Sequence, residues 1–155
     1  LVTGDSGAGK TTWCRSLVEA ARQRGLRVAG LLSPPVFEQG VKTGIDLLDL
    51  TTGERRRLAA RRPVPDPDAA VRKWLFDDAV VDWANAVLRR VEACDVLLLD
   101  ELGPLELLHN TGFVAALDLL ESDRYLAGVV VVRPTLLAEA ARRWPVAATV
   151  EITRG

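Results

Sequence analysis

The chain has 155 residues, 48% of them apolar and 26% charged, which suffices for one domain with a real core. Its formal net charge of -1 leaves no global field to draw in nucleic acid or a membrane surface, and apolar runs such as "VLLL" (96–99) and "VVVV" (129–132) are far too short to span a bilayer. Two cysteines, Cys14 and Cys94, are too few for a disulfide framework and point to reduced thiols in a cytoplasmic protein.

In chain order, Leu1-Val2-Thr3 reads as the end of a buried strand, and with no methionine in the chain this start predicts a trimmed N-terminus. A Gly-rich stretch follows, "GDSGAGKTT" (4–12), and then a helical pattern over 10–24 closed by Gly25. "LRVAGLLS" (26–33) is a second strand. Between Pro34 and Pro67 the pattern changes. "GIDLLDL" and "RRRLAA" flank the turn Thr52-Gly53 and predict a β-hairpin, and "RRPVPDPDA" is a proline-punctuated loop. Asp77 or Asp78 caps a helix running to about Ala93. "DVLLLDE" (95–101) is an apolar strand ending in two acids. A helix from about Thr111 to Ser122, the strand "LAGVVVV" (126–132), a helix at 135–143 and the strand "ATVEI" complete the chain. Apolar strands separated by helices predict an α/β fold with a mainly parallel sheet covered on both faces, in three layers, as a single domain over 1–155.

The stretch at 4–12 satisfies G-x-x-x-x-G-K-[ST] with Gly4, Gly9, Lys10 and Thr11, between an apolar strand and a helix. Glycines let the backbone wrap closely around an anion, and the amides of Asp5, Ser6, Gly7, Ala8, Gly9, Lys10, Thr11 and Thr12 are the candidate cradle for nucleotide phosphates. Lys10 reaches toward the β- and γ-phosphates, and the Thr11 hydroxyl is a candidate Mg²⁺ ligand. Ser6 and Thr12 also suit a plain helix start, and Trp13 reads as core.

The strand ending at Asp100-Glu101 supplies a second set of groups. Asp100, at the carboxyl end of a strand, is placed to hold Mg²⁺ through water, and Glu101 beside it can orient or deprotonate a water for in-line attack. The bland alternative is that both acids only cap the next turn.

The pair "GDSGAGKTT" and "DELGPLEL" (100–107), with Gly30 opening a strand-to-hairpin element, resembles the cancer-related nucleoside-triphosphatase family of small P-loop proteins. Asp100, Glu101, Gly103, Glu106 and Leu107 match the family's acidic motif, and Pro104 stands where the family has lysine. Pro34 and Pro35 likewise stand where the family has glutamates. The resemblance implies a P-loop NTPase fold with core strand order 5-1-4-3-2. It also implies Mg²⁺-dependent hydrolysis of ATP, GTP and other nucleoside triphosphates with weak base selectivity, and it counts Gly103 with the nucleotide-binding residues. The family continues past the last strand into a helix, which opens the same reading of a cut C-terminus.

Arg133 ends the "VVVV" strand, where the implied order faces the γ-phosphate. It is a candidate catalytic sensor or charge stabiliser, or else a strand-end arginine facing solvent or pairing with Glu101. Arg142 and Arg143 are weaker candidates for that role. Arg55-Arg56-Arg57 with Arg61-Arg62 reads as a solvated basic face rather than a nucleic-acid site, since no aromatics interleave it. His109 has no partner at ligand spacing and falls in a polar turn. Glu106 either borders the nucleotide or is a surface acid on that turn. Lys10, Lys42 and Lys73 are the only lysines in an arginine-rich chain, a bias that reads as composition.

No Asn-Lys-x-Asp motif reads guanine, no Leu-Ser-Gly-Gly-Gln signature marks a transporter subunit, and no arginine-rich lid is visible. Three functions share the loop: a nucleoside triphosphatase, a kinase for a nucleotide or other small acceptor, and a nucleotide-gated binding module with negligible turnover. Nucleoside triphosphates are the expected partners in all three. Neither membrane nor nucleic acid is.

Overall fold

The computed structural model describes residues 1–63 and 73–154. In chain order the first half comprises β1 (Val2–Thr3), α1 (Lys10–Gln23), β2 (Val28–Leu32), β3 (Pro35–Glu38), β4 (Val41–Asp49), β5 (Arg55–Arg61) and β6 (Trp74–Phe76). The second half comprises α2 (Asp78–Arg89), β7 (Cys94–Leu102), α3 (Pro104–His109), α4 (Val114–Leu120), β8 (Tyr125–Val132), α5 (Leu137–Arg143) and β9 (Val150–Glu151).

Among the described residues the strands form one mixed sheet in the order β6-β5-β4-β2-β7-β8-β1-β9, with β3 paired to β4. The five strands β2, β7, β8, β1 and β9 run parallel. Counted by themselves they have the order 5-1-4-3-2 that the resemblance implied. The insertion between β2 and α2 continues the sheet antiparallel, Leu31 facing Asp49 and Leu32 facing Leu48.

The apolar run of β7 is continuous because both faces of the strand are covered. Leu97 and Leu99 point into one core with Ala84 and Leu88 of α2, Ala116 and Leu119 of α4 and Ala140 of α5. Leu98 points into the other core with Cys14, Val18 and Ala21 of α1. Each fully buried leucine contributes about 1.5–3 kcal/mol by leaving water. Between β2 and β7 the backbones approach closely at Gly30, which has φ +116°. A Cβ built there would lie 1.9 Å from the Leu98 carbonyl oxygen.

The hairpin is where the sequence put it. Asp49 organises its turn, accepting from the Thr51 amide at 2.8 Å and the Thr52 hydroxyl at 2.7 Å, while the Gly53 amide donates to the Asp49 carbonyl at 2.8 Å. The flanking strands β3 and β6 were not foreseen. The loop "RRPVPDPDA" lies, from Val64 onward, outside the described residues.

Asp77 is the α2 cap, accepting from the Ala79 amide at 2.9 Å, and the helix ends at Arg89 rather than near Ala93. The helix expected at 111–122 is shorter and has an unforeseen companion. Pro104, well suited to a first helical position, starts α3, which carries His109 and ends at Asn110 in the left-handed region with φ 49°. Gly112, at φ +71°, turns the chain back, and α4 begins at Val114. Leu105 to His109 is thus helix, not turn. The helix expected at 135–143 opens with a 3₁₀ turn, Pro134–Leu136, and "ATVEI" pairs only through Val150 and Glu151.

Candidate active site

The loop after β1 and the carboxyl ends of β2 and β7 meet at one edge of the sheet, as parallel α/β sheets bring functional groups together. Gly4, Gly7 and Gly9 all have positive φ, at +141°, +77° and +103°. Gly4 needs that conformation and also lacks space, since a Cβ there would meet the Ile152 carbonyl oxygen at 2.2 Å. Gly9 is the N-cap of α1, and no side chain caps the helix and no acid occupies its first turn. The positive end of a 14-residue helix therefore opens into the loop without an internal anion.

Lys10 is buried, and its ammonium donates to the carbonyls of Gly4 at 2.6 Å and Asp5 at 2.8 Å. These neutral acceptors hold the cation inside the loop while leaving its charge uncompensated. Asp5 and Ser6 are exposed at the loop tip, Ala8 is half-buried, and Thr12 faces outward on α1.

The Thr11 hydroxyl donates to Asp100 Oδ2 at 2.8 Å, joining the loop to the end of β7. Asp100 is only 5% exposed, and burial pushes its carboxyl up from 3.8 to about 6 against the opposing pull of the Thr11 and Ser33 hydrogen bonds. The Ser33 amide donates to the same oxygen at 3.3 Å, and the Ser33 hydroxyl donates to the Asp100 main-chain carbonyl. A buried carboxylate paired with a hydroxyl, short of a cation, is the hard-oxygen donor pair that a divalent metal satisfies. Among the described residues no group of three or more His, Cys, Asp or Glu side chains can hold a metal by itself.

Glu101 is one-third exposed, and Arg133 Nε donates to its Oε1 at 3.2 Å, the pairing weighed as the bland role for Arg133. The β7–β8 register brings the two together at the strand ends, with Leu102 opposite Val132. Glu106 is buried and is neither a surface acid nor open toward a nucleotide. Its Oε2 accepts from the Gly103 amide at 2.8 Å and its Oε1 from the Phe113 amide at 2.9 Å. The Gly103 amide, counted with the nucleotide-binding residues, is therefore already engaged at the N-terminus of α3.

Ser33 and Arg154 had no place in the sequence reading. Ser33 could have been found from its position at a strand's carboxyl end. Arg154 offered no local signal. Its Nε donates to the Gly7 carbonyl at 3.2 Å, and residues 151–154 with Asp5, Ser6 and Ala8 line a cavity of about 350 Å³ beside the loop. Three arginines of the basic cluster, Arg55, Arg56 and Arg57, are paired with acids of the hairpin. Asp46 binds Arg55 at 2.7 Å and Arg57 at 2.5 Å, and Arg56 pairs with Glu54 and stacks 4.7 Å from the Trp83 ring centroid. Arg142 pairs with Glu139, and Arg143 donates to Asn110 at 3.1 Å, so both are engaged away from Glu101.

The sequence matches the protein family described as NTPase over residues 1–155. It is 36% identical over 110 residues to the nucleoside-triphosphatase THEP1 of Methanopyrus kandleri, covering 71% of this chain and 60% of that protein. It is 32% identical over 131 residues to the nucleoside-triphosphatase THEP1 of Caldivirga maquilingensis, covering 84% of this chain and 73% of that protein. In fold it is similar to the crystal structure of THEP1 from Aquifex aeolicus, with a TM-score of 0.70 at 20% identity over 98% of this chain and 88% of the other. The solution structure of a human cancer-related nucleoside triphosphatase matches with a TM-score of 0.68 at 24% identity, over 98% and 86%. Among the described residues no helix is long and apolar enough to cross a membrane.

Proposed function

The chain belongs to the NTPase family that it matches over residues 1–155, and from that premise we propose that it hydrolyses nucleoside triphosphates to the diphosphate and inorganic phosphate, with Mg²⁺ and little selectivity for the base. The observation that carries this reading is the 2.8 Å contact between Thr11 and Asp100, which brings the phosphate loop and the acidic strand end to one point with Glu101 next in the chain.

The loop amides from Ser6 to Thr12 and the α1 N-terminus receive the phosphates. Lys10 exchanges the Gly4 and Asp5 carbonyls for β- and γ-phosphate oxygens, a neutral-to-charged exchange that strengthens its hydrogen bonds. Thr11 and Asp100 would hold Mg²⁺, which supplies neutralisation of the phosphate charge when bound. Glu101 accepts a proton from water as the water oxygen bonds to the γ-phosphorus. The bond from that phosphorus to the β–γ bridging oxygen breaks, and the diphosphate leaves with the electron pair. Arg133 acts as a positioning residue, holding the Glu101 carboxylate through its 3.2 Å contact. Recognition centred on phosphates accounts for weak base selectivity. The two buried free thiols, Cys14 and Cys94, support a reducing, cytoplasmic setting.

Glu101→Gln keeps size and hydrogen bonding but cannot take the proton. Its kcat is expected to fall about 10²–10⁴-fold, the usual contribution of a general base, while the nucleotide Kd changes little. Phosphate release at the parental rate would remove Glu101 from the chemistry.

A further inference from the structure

The peptide joining Gly7 to Ala8 is gripped at both ends. Its carbonyl accepts from Arg154 Nε at 3.2 Å, and its amide, that of Ala8, donates to the Asp5 carbonyl at 3.1 Å. The peptide is trans, so C=O and N–H point in opposite directions, and a donor that fixes the carbonyl outward fixes the amide inward. The Lys10 ammonium donates to the same Asp5 oxygen at 2.8 Å. Two donors thus converge on one point inside the loop, held there by a neutral carbonyl where an anionic phosphate oxygen is the stronger acceptor.

Little within the loop resists reversal of this peptide. Gly7 has φ +77° and, without a Cβ, is about equally free to take negative φ. A cavity of about 350 Å³ lies beside it, lined by Asp5, Ser6, Ala8 and residues 151–154. The restraint comes from the far end of the sequence. Strand β9 tracks β1, Thr3 facing Glu151, and the Ile152 amide donates to the Thr3 carbonyl at 2.8 Å, so the chain runs on alongside the loop that leaves β1. The Arg154 guanidinium then lies so close against Gly7 that a Cβ built there would be 2.7 Å from a terminal nitrogen.

We propose that Arg154 is a positioning residue for phosphate binding. By holding the Gly7 carbonyl outward it keeps the Ala8 amide aimed, with Lys10, at the point a phosphate oxygen takes. The assignment rests on the reading of residues 4–12 as a phosphate-binding loop.

The donor is Nε, and this decides the variants. Arg154→Gln sets its amide nitrogen the same number of bonds from the backbone, keeping a donor and removing the charge. Arg154→Met keeps the length and removes both. Calorimetric binding of Mg–ADP and of inorganic tripolyphosphate, which carries no nucleoside, is measured beside the melting temperature. Arg154→Met is expected to bind both ligands about tenfold more weakly than the parent, and Arg154→Gln within about threefold of it. Arg154 is exposed, so both variants are expected to melt within about 2 °C of the parent. Tripolyphosphate binding by Arg154→Met within about twofold of the parent overturns the assignment, and a loss confined to ADP places Arg154 on the nucleoside instead. So does an Arg154→Gln variant as weak as Arg154→Met, since charge and not the hydrogen bond then carries the effect. Weaker binding that comes with a melting temperature lowered by more than about 5 °C marks a purely structural role and overturns it too. A folded parental chain that binds neither ligand overturns the phosphate-loop reading and Arg154 with it. A parent that binds both, beside an Arg154→Met that binds them equally well, overturns Arg154 alone.

Discussion

Glu106→Gln exchanges one carboxylate oxygen for an amide NH₂ at a position where both oxygens already accept. The Gly103 amide donates to Oε2 at 2.8 Å and the Phe113 amide to Oε1 at 2.9 Å, and the residue is 5% exposed. Whichever way the glutamine amide is turned, its NH₂ faces a backbone N–H. Retreat is blocked on one side by the chain at Gly112, where even a single added Cβ would lie 2.2 Å from Oε1. The substitution therefore removes a hydrogen bond to a charged acceptor, about 1.5–3 kcal/mol, and strands a buried donor at about 1–3 kcal/mol. Relief of the buried charge, whose pKa burial raises, offsets part of this. The net loss is about 2–4 kcal/mol, which lowers Tm by roughly 5–15 °C in a chain of this size. Calorimetric melting at pH 7 measures it, and urea unfolding with an unchanged m value confirms that the folded state is what changed. At temperatures where the variant is folded, turnover should stay within a few-fold of the parent, because neither oxygen of Glu106 is free to act as a base. A variant melting within a degree of the parent would refute the bracket. A well-folded variant that has lost hydrolysis would refute its purely structural role.

Asp100→Asn is expected to stabilise the chain at pH 8 in the absence of divalent cations by about 1–2 kcal/mol. Folding raises this carboxyl from 3.8 to about 6, so its destabilising effect is absent below pH 4, grows as the pH rises, and is complete above pH 6. The gap between variant and parental Tm should follow that window and reverse once Mg–ADP is added; a constant gap from pH 4 to 8 would show that Asp100 does not titrate there. Gly30→Ala should cost more than about 3 kcal/mol, because φ is +116° and the new methyl would lie 1.9 Å from a backbone oxygen of β7 that cannot move without opening the sheet. Soluble expression with a parental urea midpoint would show that β2 and β7 are farther apart than described.

The phosphate loop, the acids at the end of β7 and the hairpin were legible because their signals are local. Spacing within nine residues defines the loop, and an apolar run ending in Asp100-Glu101 identifies a buried strand and its carboxyl end. The strand order came through the family likeness of those same motifs, since apolar runs alone say that strands are buried and parallel, not which are neighbours. The role of Glu106 was not legible. Its second partner is the Phe113 amide, which reaches it only because Asn110 and Gly112 take left-handed conformations that break the expected helix. Arg133 was left between two roles until the β7–β8 register brought it against Glu101. A charge acts through distance in space, and distance between segments remote in sequence is decided by sheet register and packing, which no local pattern encodes.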